Sequence, residues 1–207
     1  MSLQVIGDVL LSGGDDGTVR EWKMQGQAAE WRSEGSLTGH RGGVRCLAAC
    51  GRKPVSGGVD GTLRVWAGWR RKQRAGVAPD RRVEARVLRG HCGVVSAVAE
   101  AGLQLVSCGM DGTVRVWSWS TGVCLGRSEV PFDSSIAGLP RRTWSVTVSG
   151  SKVVAGCNDG TMWAWDLETM VRLGGPGTAD AGPVRALLTH KDGRVLGCVG
   201  ADVVVWE

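Results

Sequence analysis

Histidine, serine, aspartate and tryptophan recur in this chain at fixed intervals. Ser56, Asp60 and Trp66 follow His40 by 16, 20 and 26 residues, and Ser107, Asp111 and Trp117 follow His91 at the same offsets. Such residue types can pass protons or hold a metal, so these two sets are the first candidates for chemistry. No catalytic motif accompanies them: the chain has no serine elbow, no His-Glu-x-x-His, no phosphate loop and no paired cysteines at metal spacing. The repeated Ser-Gly-Gly (Ser12–Gly14, Ser56–Gly58) looks like a glycine-rich loop but is followed by neither Lys-Ser/Thr nor a helix. It reads instead as inner-strand packing, where glycine lets neighbouring sheets approach closely. The third histidine, His190, lies in Thr-His-Lys-Asp-Gly, expected to be an exposed hairpin turn. The seven cysteines (46, 50, 92, 108, 124, 157 and 198) contain no Cys-x-x-Cys and are expected to be reduced, buried thiols of an intracellular protein. No cofactor, metal or small-molecule substrate is expected, and an enzyme is not.

The elements that must position these residues repeat. LLSGGDDGTVREW ends at Trp22, PVSGGVDGTLRVW at Trp66, LVSCGMDGTVRVW at Trp117 and VVAGCNDGTMWAW at Trp165; a weaker copy, RVLGCVGADVVVW, ends at Trp206. The five tryptophans are 44, 51, 48 and 41 residues apart. Each of the first four copies reads as a β-hairpin: an apolar run, Asp-Gly, then an alternating strand. Asp-Gly between such runs predicts a tight primed turn, with glycine supplying the positive φ. Further β-rich runs lie upstream at Val44–Cys50, Val94–Ala101, Trp144–Ser149 and Val184–Thr189, and downstream at Val123–Val130 and Met170–Leu173. Each unit therefore holds about four short strands, and no convincing amphipathic helix is found. Four-stranded units at this period, each carrying a tryptophan motif, predict a β-propeller. The fold class is all-β, a single domain over 1–207 of about five four-stranded blades, the last incomplete. The blades fall at approximately 1–36, 37–89, 90–140, 141–179 and 180–207.

Composition agrees. Glycine makes up 33 of 207 residues without a three-residue period, which excludes collagen and suggests many tight turns. With 43% apolar and 22% charged residues a packed core is feasible. No apolar run approaches the roughly 20 residues of a membrane-spanning helix, and residues 1–11 do not read as a secretory signal. The formal charge of +5 is local. Residues 67–89, read as a basic inter-blade loop, hold eight basic residues against Asp80 and Glu84, a net of +6; the remaining 17 basic and 18 acidic residues leave −1.

Gly39-His40 and Gly90-His91, each followed at the same offsets by Ser, Asp and Trp, resemble the WD-repeat family of propellers, whose unit opens with Gly-His and closes with Trp-Asp. The resemblance covers nearly the whole chain. It implies that His40, Ser56, Asp60 and Trp66, and likewise His91, Ser107, Asp111 and Trp117, form buried hydrogen-bonded tetrads with a structural role. The chemistry is sensible, since a buried aspartate is costly unless donors surround it. Partial tetrads are expected from Ser12, Asp16 and Trp22; from Asp159 and Trp165, with Ala155 at the serine position; and from Trp206, with Leu196 at the serine position and Gly200-Ala201 in place of Asp-Gly. Only the second and third blades hold the full set. Only the fourth has a true Trp-Asp, Trp165-Asp166. Five copies are few for this family, so three alternatives stand: part of a longer propeller, a five-bladed ring with a defective seam, or an open arc.

The family's implied business is holding other proteins. Carried over, the contact face includes Asp15, Arg41, Arg45, Val59, Met110, Trp144 and Asn158, with Trp144 as an exposed aromatic and Arg45 leading because binding hot spots favour Trp and Arg. The expected function is a non-catalytic protein–protein interaction scaffold in the cytoplasm, the nucleus or both, without membrane contact. An alternative is an RNA-associated or nuclear factor whose basic loop (Arg70, Arg71, Lys72, Arg74, Arg81, Arg82) meets RNA or an acidic partner. A second alternative is the substrate-recognition part of a ubiquitin ligase, as in F-box-linked relatives, although no F-box is present.

Overall fold

A computed structural model describes residues 2–25, 30–69, 83–131, 142–178, 182–200 and 202–206. Apart from Trp69, where the backbone turns helical, their regular structure is all β. Blade 1 comprises β1 (Ser2–Ile6), β2 (Val9–Gly13), β3 (Val19–Gln25) and β4 (Glu30–Leu37). Blade 2 comprises β5 (Val44–Cys50), β6 (Lys53–Gly58), β7 (Thr62–Val65) and β8 (Arg86–Arg89). Blade 3 follows with β9 (Val95–Ala101), β10 (Gln104–Gly109), β11 (Thr113–Ser118) and β12 (Cys124–Glu129), and blade 4 with β13 (Thr143–Ser149), β14 (Lys152–Cys157), β15 (Thr161–Asp166) and β16 (Arg172–Thr178). Blade 5 has three described strands, β17 (Val184–Thr189), β18 (Val195–Val199) and β19 (Asp202–Trp206). Within each sheet the strands run antiparallel in sequence order.

The structure corrects several local readings. Arg86–Arg89 is not loop but the outer strand of blade 2, paired with β7 and anchored by the buried Leu88 while Arg86 and Arg89 are exposed. The strand after blade 4's Trp165 starts at Arg172, because Met170 takes a positive φ of 54° and its N–H closes a turn on the Asp166 carbonyl. The cysteines are free, but Cys92 is exposed and Cys124 and Cys198 only half-buried.

The Asp-Gly hairpins are not primed turns either. Three residues connect β6 to β7 (Val59-Asp60-Gly61) and β10 to β11 (Met110-Asp111-Gly112), and only the glycine has a positive φ, 72° in both. The turn closes before it, Gly61 N–H donating to the Gly58 carbonyl at 3.2 Å and Gly112 N–H to that of Gly109 at 3.1 Å. Glycine in the left-handed region then returns the chain to the ladder. The extra residue leaves the aspartate in ordinary backbone geometry, its side chain turned back on the threonine two residues on. Blade 5 shows what happens without it. Only two residues separate Val199 from its ladder partner Asp202, so Leu196 pairs with Val205 and position 206 with Val195. With a period of two, that slip moves the serine-equivalent position from Leu196 to Gly197.

Packing between blades follows one rule. The first strand of each blade lies against the first and second strands of the blade before: β5 on β1 and β2, β9 on β5 and β6, β13 on β9 and β10, β17 on β13 and β14. Four hydrophobic clusters fill these seams, with Trp66 between blades 1 and 2, Trp117 between 2 and 3, and Trp165 between 3 and 4, while Val154, Met162, Val184 and Val195 meet between 4 and 5. The seam is tight at one recurring point. A Cβ on Gly13 would stand 2.7 Å from Val44 Cγ1, on Gly57 2.7 Å from Val95 Cγ1, and on Gly156 2.5 Å from Val184 Cβ. In blade 3 the equivalent residue is Cys108, and its neighbour across the seam is Thr143, which donates to the Gly109 carbonyl at 2.7 Å.

Gly57→Ala is therefore expected to overpack the seam between blades 2 and 3 and cost about 1–3 kcal/mol. Adding Val95→Ala should recover part of that loss. Urea midpoints of the two single variants and the double variant measure the coupling; purely additive losses would show that the contact does not matter.

Candidate functional site

In blade 2, β6 carries Ser56, the turn carries Asp60, and Trp66 follows β7; the loop ahead of β5 brings His40 under the turn. Trp66 Nε1–H donates to Ser56 Oγ at 3.0 Å, Ser56 Oγ lies 2.8 Å from His40 Nε2, and His40 Nδ1 lies 3.0 Å from Asp60 Oδ1. Donor arithmetic assigns the tautomer. A carboxylate only accepts, so Nδ1 bears the proton, and Nε2 accepts from the serine hydroxyl. Asp60 also accepts from Arg41 N–H (3.0 Å), Thr62 N–H (3.2 Å) and the Thr62 hydroxyl (2.8 Å). Every donor in this relay points towards one carboxylate.

Blade 3 repeats the arrangement. Trp117 Nε1–H donates to Ser107 Oγ (2.8 Å), which lies 2.8 Å from His91 Nε2, and His91 Nδ1 lies 3.0 Å from Asp111 Oδ2. Cys92 N–H donates to Asp111 Oδ2 at 2.9 Å and Thr113 N–H to Oδ1 at 3.1 Å. The glycines of the two Gly-His pairs make room for cations: a Cβ on Gly39 would stand 2.6 Å from the Arg64 guanidinium, and on Gly90 2.8 Å from that of Arg115.

Burial alone would raise the pKa of Asp60, but the Arg41 amide, His40 and Thr62 outweigh it and hold the carboxyl at about 2. Asp111 is driven well below the carboxylate range in the same way, with His91 and the Cys92 amide overcoming burial. For His40 burial prevails over the attraction of Asp60 and lowers the pKa, favouring the neutral ring that the hydrogen bonds require. These groups are committed to one another, which leaves the imidazole no free nitrogen with which to act on a substrate. The buried thiols are equally inert: desolvation pushes Cys46 up to about 12 and Cys50 to about 11.

The partial sets diverge as their residues dictate. In blade 1 Trp22 Nε1–H donates to Ser12 Oγ at 2.8 Å, while Asp16 accepts from Thr18 and from Arg20 at 3.0 Å, a cation on its own strand. In blade 4 Asp159 accepts from Thr161 N–H at 3.0 Å, and Ala155 offers Trp165 no hydroxyl. Asp166 turns outward and accepts from the Glu168 and Thr169 amides, closing the β15–β16 turn. The Trp206 side chain lies outside the described residues, as do Arg70, Arg71, Lys72, Arg74, Arg81 and Arg82. His190 sits in the exposed β17–β18 turn, 2.8 Å from Asp192.

The candidate partner residues gather at one end of the blades, where the β6–β7 and β10–β11 turns meet the starts of β5 and β9. Asp15 reaches across a seam to Arg45 at 3.5 Å; Val59 N–H donates to the Gly43 carbonyl and Met110 N–H to that of Val94, both at 2.9 Å; Arg142 N–H donates to Asn158 Oδ1 at 2.8 Å. A β-bulge explains the prominence of Arg45 and Trp144. In β5 the ladder steps from Val44 to Cys46, in β9 from Val95 to Ala97, in β13 from Thr143 to Ser145 and in β17 from Val184 to Ala186. Each bulge takes one residue out of the ladder and re-aims it: Arg45, Ser96, Trp144 and Arg185. Since these four strands pack one against the next, the four bulged residues follow one another in a row at the strand starts. Sequence reading missed Ser96 and Arg185; superposing the repeats on Arg45 would have found both. Trp144 is half-buried rather than fully exposed, with the Arg185 guanidinium 5.1 Å from its ring centroid and its own Nε1 buried without a hydrogen-bond partner.

Residues 31–67 and 82–118 each match the family model described as "WD domain, G-beta repeat". The chain is 28% identical over 188 residues to striatin of Mus musculus, covering 84% of this chain and 23% of striatin. It is 32% identical over 184 residues to the ribosome biogenesis protein WDR12 homolog of Chlamydomonas reinhardtii, covering 77% of this chain and 40% of that protein. It thus spans less than half the length of these curated relatives. Among solved structures it is similar to the computationally designed Ika8 protein (TM-score 0.74, 29% identity, 99% of this chain and 57% of that one) and to the designed Ika4 protein (TM-score 0.64, 28% identity, 84% of this chain and 97% of that one).

The relay fixes an acid sensitivity. Asp60, with its pKa lowered in the folded state, stabilises the fold by about 2 kcal/mol above its ordinary pKa of 3.8, and this is lost as the pH falls through about 2. His40, also lowered, contributes stability above 6.5 that begins to go as the pH falls below that value. Asp60→Asn should therefore flatten stability against pH between 4 and 2 in urea titrations; a slope equal to the wild type's would exclude the carboxylate. His91→Ala, which strands the Ser107 hydroxyl and Asp111, should cost roughly 2 kcal/mol or more and lower the thermal midpoint.

Proposed function

This chain belongs to the WD-repeat family of β-propellers, and we propose that it is a non-catalytic platform holding other proteins within a larger complex. One observation carries the reading: the bulged row Arg45, Ser96, Trp144 and Arg185 places two exposed guanidinium groups and a half-buried indole at the starts of four successive first strands. The tetrads beneath it have their hydrogen bonds filled from within, and no cluster of three or more His, Cys, Asp or Glu among the described residues could hold a metal. Arg41, Arg45, Arg142 and Arg185 on this face suit an acidic segment of a partner. The site of action is the cytoplasm, the nucleus or both; among the described residues no helix is long and apolar enough to cross a membrane.

A second reading rests on the basic run from Arg70 to Arg82 and on a relative named for ribosome biogenesis: contact with RNA in a nuclear assembly. The two separate cleanly. Arg45→Ala with Arg185→Ala, both exposed, should remove the proteins co-purifying with the tagged chain, by on the order of 2 kcal/mol of binding free energy, with little change in the thermal midpoint; an unchanged set of partners would exclude this face. Neutralising Arg70, Arg71, Lys72 and Arg74 should abolish salt-sensitive RNA retention if the second reading holds, and equal retention by wild type and variant would dismiss it.

A further inference from the structure

Superposing blades 1 to 4 on their turns makes Arg20, Arg64, Arg115 and Trp163 equivalent, each two residues after the threonine that serves the aspartate. Three of the four are satisfied from within the chain. In blade 1 Arg20 is paired with Asp16 at 3.0 Å. In blade 3 Arg115 Nε donates to Thr113 Oγ1 at 3.3 Å and Nη1 to Cys124 Sγ at 3.9 Å, and Glu129 stands opposite Thr113 in the ladder. In blade 4 the position is an indole, and Trp163 Nε1–H donates to Thr161 Oγ1 at 3.1 Å. Blade 2 differs. Arg64 has neither an ion pair nor a hydrogen-bond acceptor among the described residues, and its Nε is buried.

Arg64 is one of three such cations. Thr62 pairs with Arg89 and Arg64 with Val87, so Arg64 and Arg89 stand on one face of the sheet as diagonal neighbours. Arg41 enters from the loop ahead of β5, its N–H on Asp60. Gly39 lets the Arg64 guanidinium lie against that loop, since a Cβ there would stand 2.6 Å from Nη1. The three act on one another: burial lowers the pKa of Arg64, Asp60 opposes this, and Arg89 and Arg41 lower it further. Arg41 and Arg89 are exposed and Arg64 is half-buried, so the cluster opens to solvent. Nearby acids are already engaged, Asp15 with Arg45 and Asp16 with Arg20. Three guanidiniums less the Asp60 carboxylate leave +2. Like charges gathered in this way cost stability until an anion offsets them. A carboxylate would neutralise half of the excess. A phosphate monoester carries about −1.5 to −2 with three acceptor oxygens, and the guanidinium fork can pair with it two bonds at a time.

We propose that Arg41, Arg64 and Arg89 form a site for a phosphorylated serine or threonine of a partner protein. This rests on the reading of the chain as a platform for other proteins and names the chemistry that one contact on it selects. The first test uses N-acetyl-phosphoserine amide, titrated into the whole chain while the arginine Nε–H resonances are followed by NMR. The Arg64 resonance should shift and saturate, and N-acetylglutamate amide should bind roughly tenfold more weakly or worse. Arg41→Gln with Arg89→Gln, both exposed, should weaken phosphoserine binding roughly tenfold or more. The thermal midpoint of that variant should be unchanged or raised, because like charges have been removed. Arg45→Gln, a cation of the same end of the blades but outside the cluster, should leave phosphoserine binding unchanged.

A second measurement identifies the source of the phosphate. Phosphatase treatment of the extract should remove, from the proteins co-purifying with the tagged chain, the same ones that Arg41→Gln with Arg89→Gln removes. Equal phosphoserine binding by wild type and double variant, glutamate bound as tightly as phosphoserine, or co-purifying proteins indifferent to phosphatase would each overturn the proposal. So would binding of phosphatidylinositol-phosphate vesicles or of RNA, lost in the double variant, without binding of phosphoserine. A chain that binds phosphoserine through these arginines yet retains no protein would instead count against the platform reading, so the two failures are told apart.

Discussion

A four-stranded sheet with two apolar faces must cover both, and here the cover is the next sheet. This one requirement sets the rest. The first strand of each blade can seat against its predecessor only where the predecessor withdraws its side chains, which is why Gly13, Gly57 and Gly156 stand under Val44, Val95 and Val184. The same approach brings each turn against the chain leading into the following blade, so that Asp15 of blade 1 meets Arg45 of blade 2. The arrangement of this end of the blades is thus a by-product of seam packing.

The aspartate under each turn is the second constraint. It stays ionised in partly desolvated surroundings because donors converge on it from three directions: the histidine, the amide after the histidine, and the threonine two residues on. A one-way relay of this sort has a structural consequence and a functional one. It ties the preceding loop, the second strand, the turn and the third strand of a blade into one unit. It also consumes the hydrogen-bonding capacity of groups that resemble a catalytic set in sequence. Where a member is missing the aspartate finds another donor nearby, as Asp16 does in Arg20.

Much of this was legible from pattern. Copies at a regular spacing marked the β2–β3, β6–β7, β10–β11 and β14–β15 hairpins, which rest on local turn chemistry and a period of two, whereas the tetrads were implied by the resemblance to WD repeats that two histidines at matching offsets carry. Turn geometry was less legible: Asp-Gly fits both a primed two-residue turn and a three-residue loop, and the choice follows from the bond between Asp60 and Thr62. The outer strand Arg86–Arg89 was hidden by its charge, since an exposed strand in a basic stretch looks like loop. Arg185 and Ser96 were missed because their prominence comes from a bulge, and a bulge is a property of pairing.

By itself the sequence determined the unit: four strands, a glycine to turn them, a buried carboxylate and the residues that satisfy it. All of that is specified by groups within some 30 residues of one another. Tertiary structure alone decided which residues share a surface. The residue types state only that Arg41, Arg64 and Arg89 are cations, while strand pairing and the loop at Gly39 bring them to one place, because proximity across a ladder is set by register and not by distance along the chain.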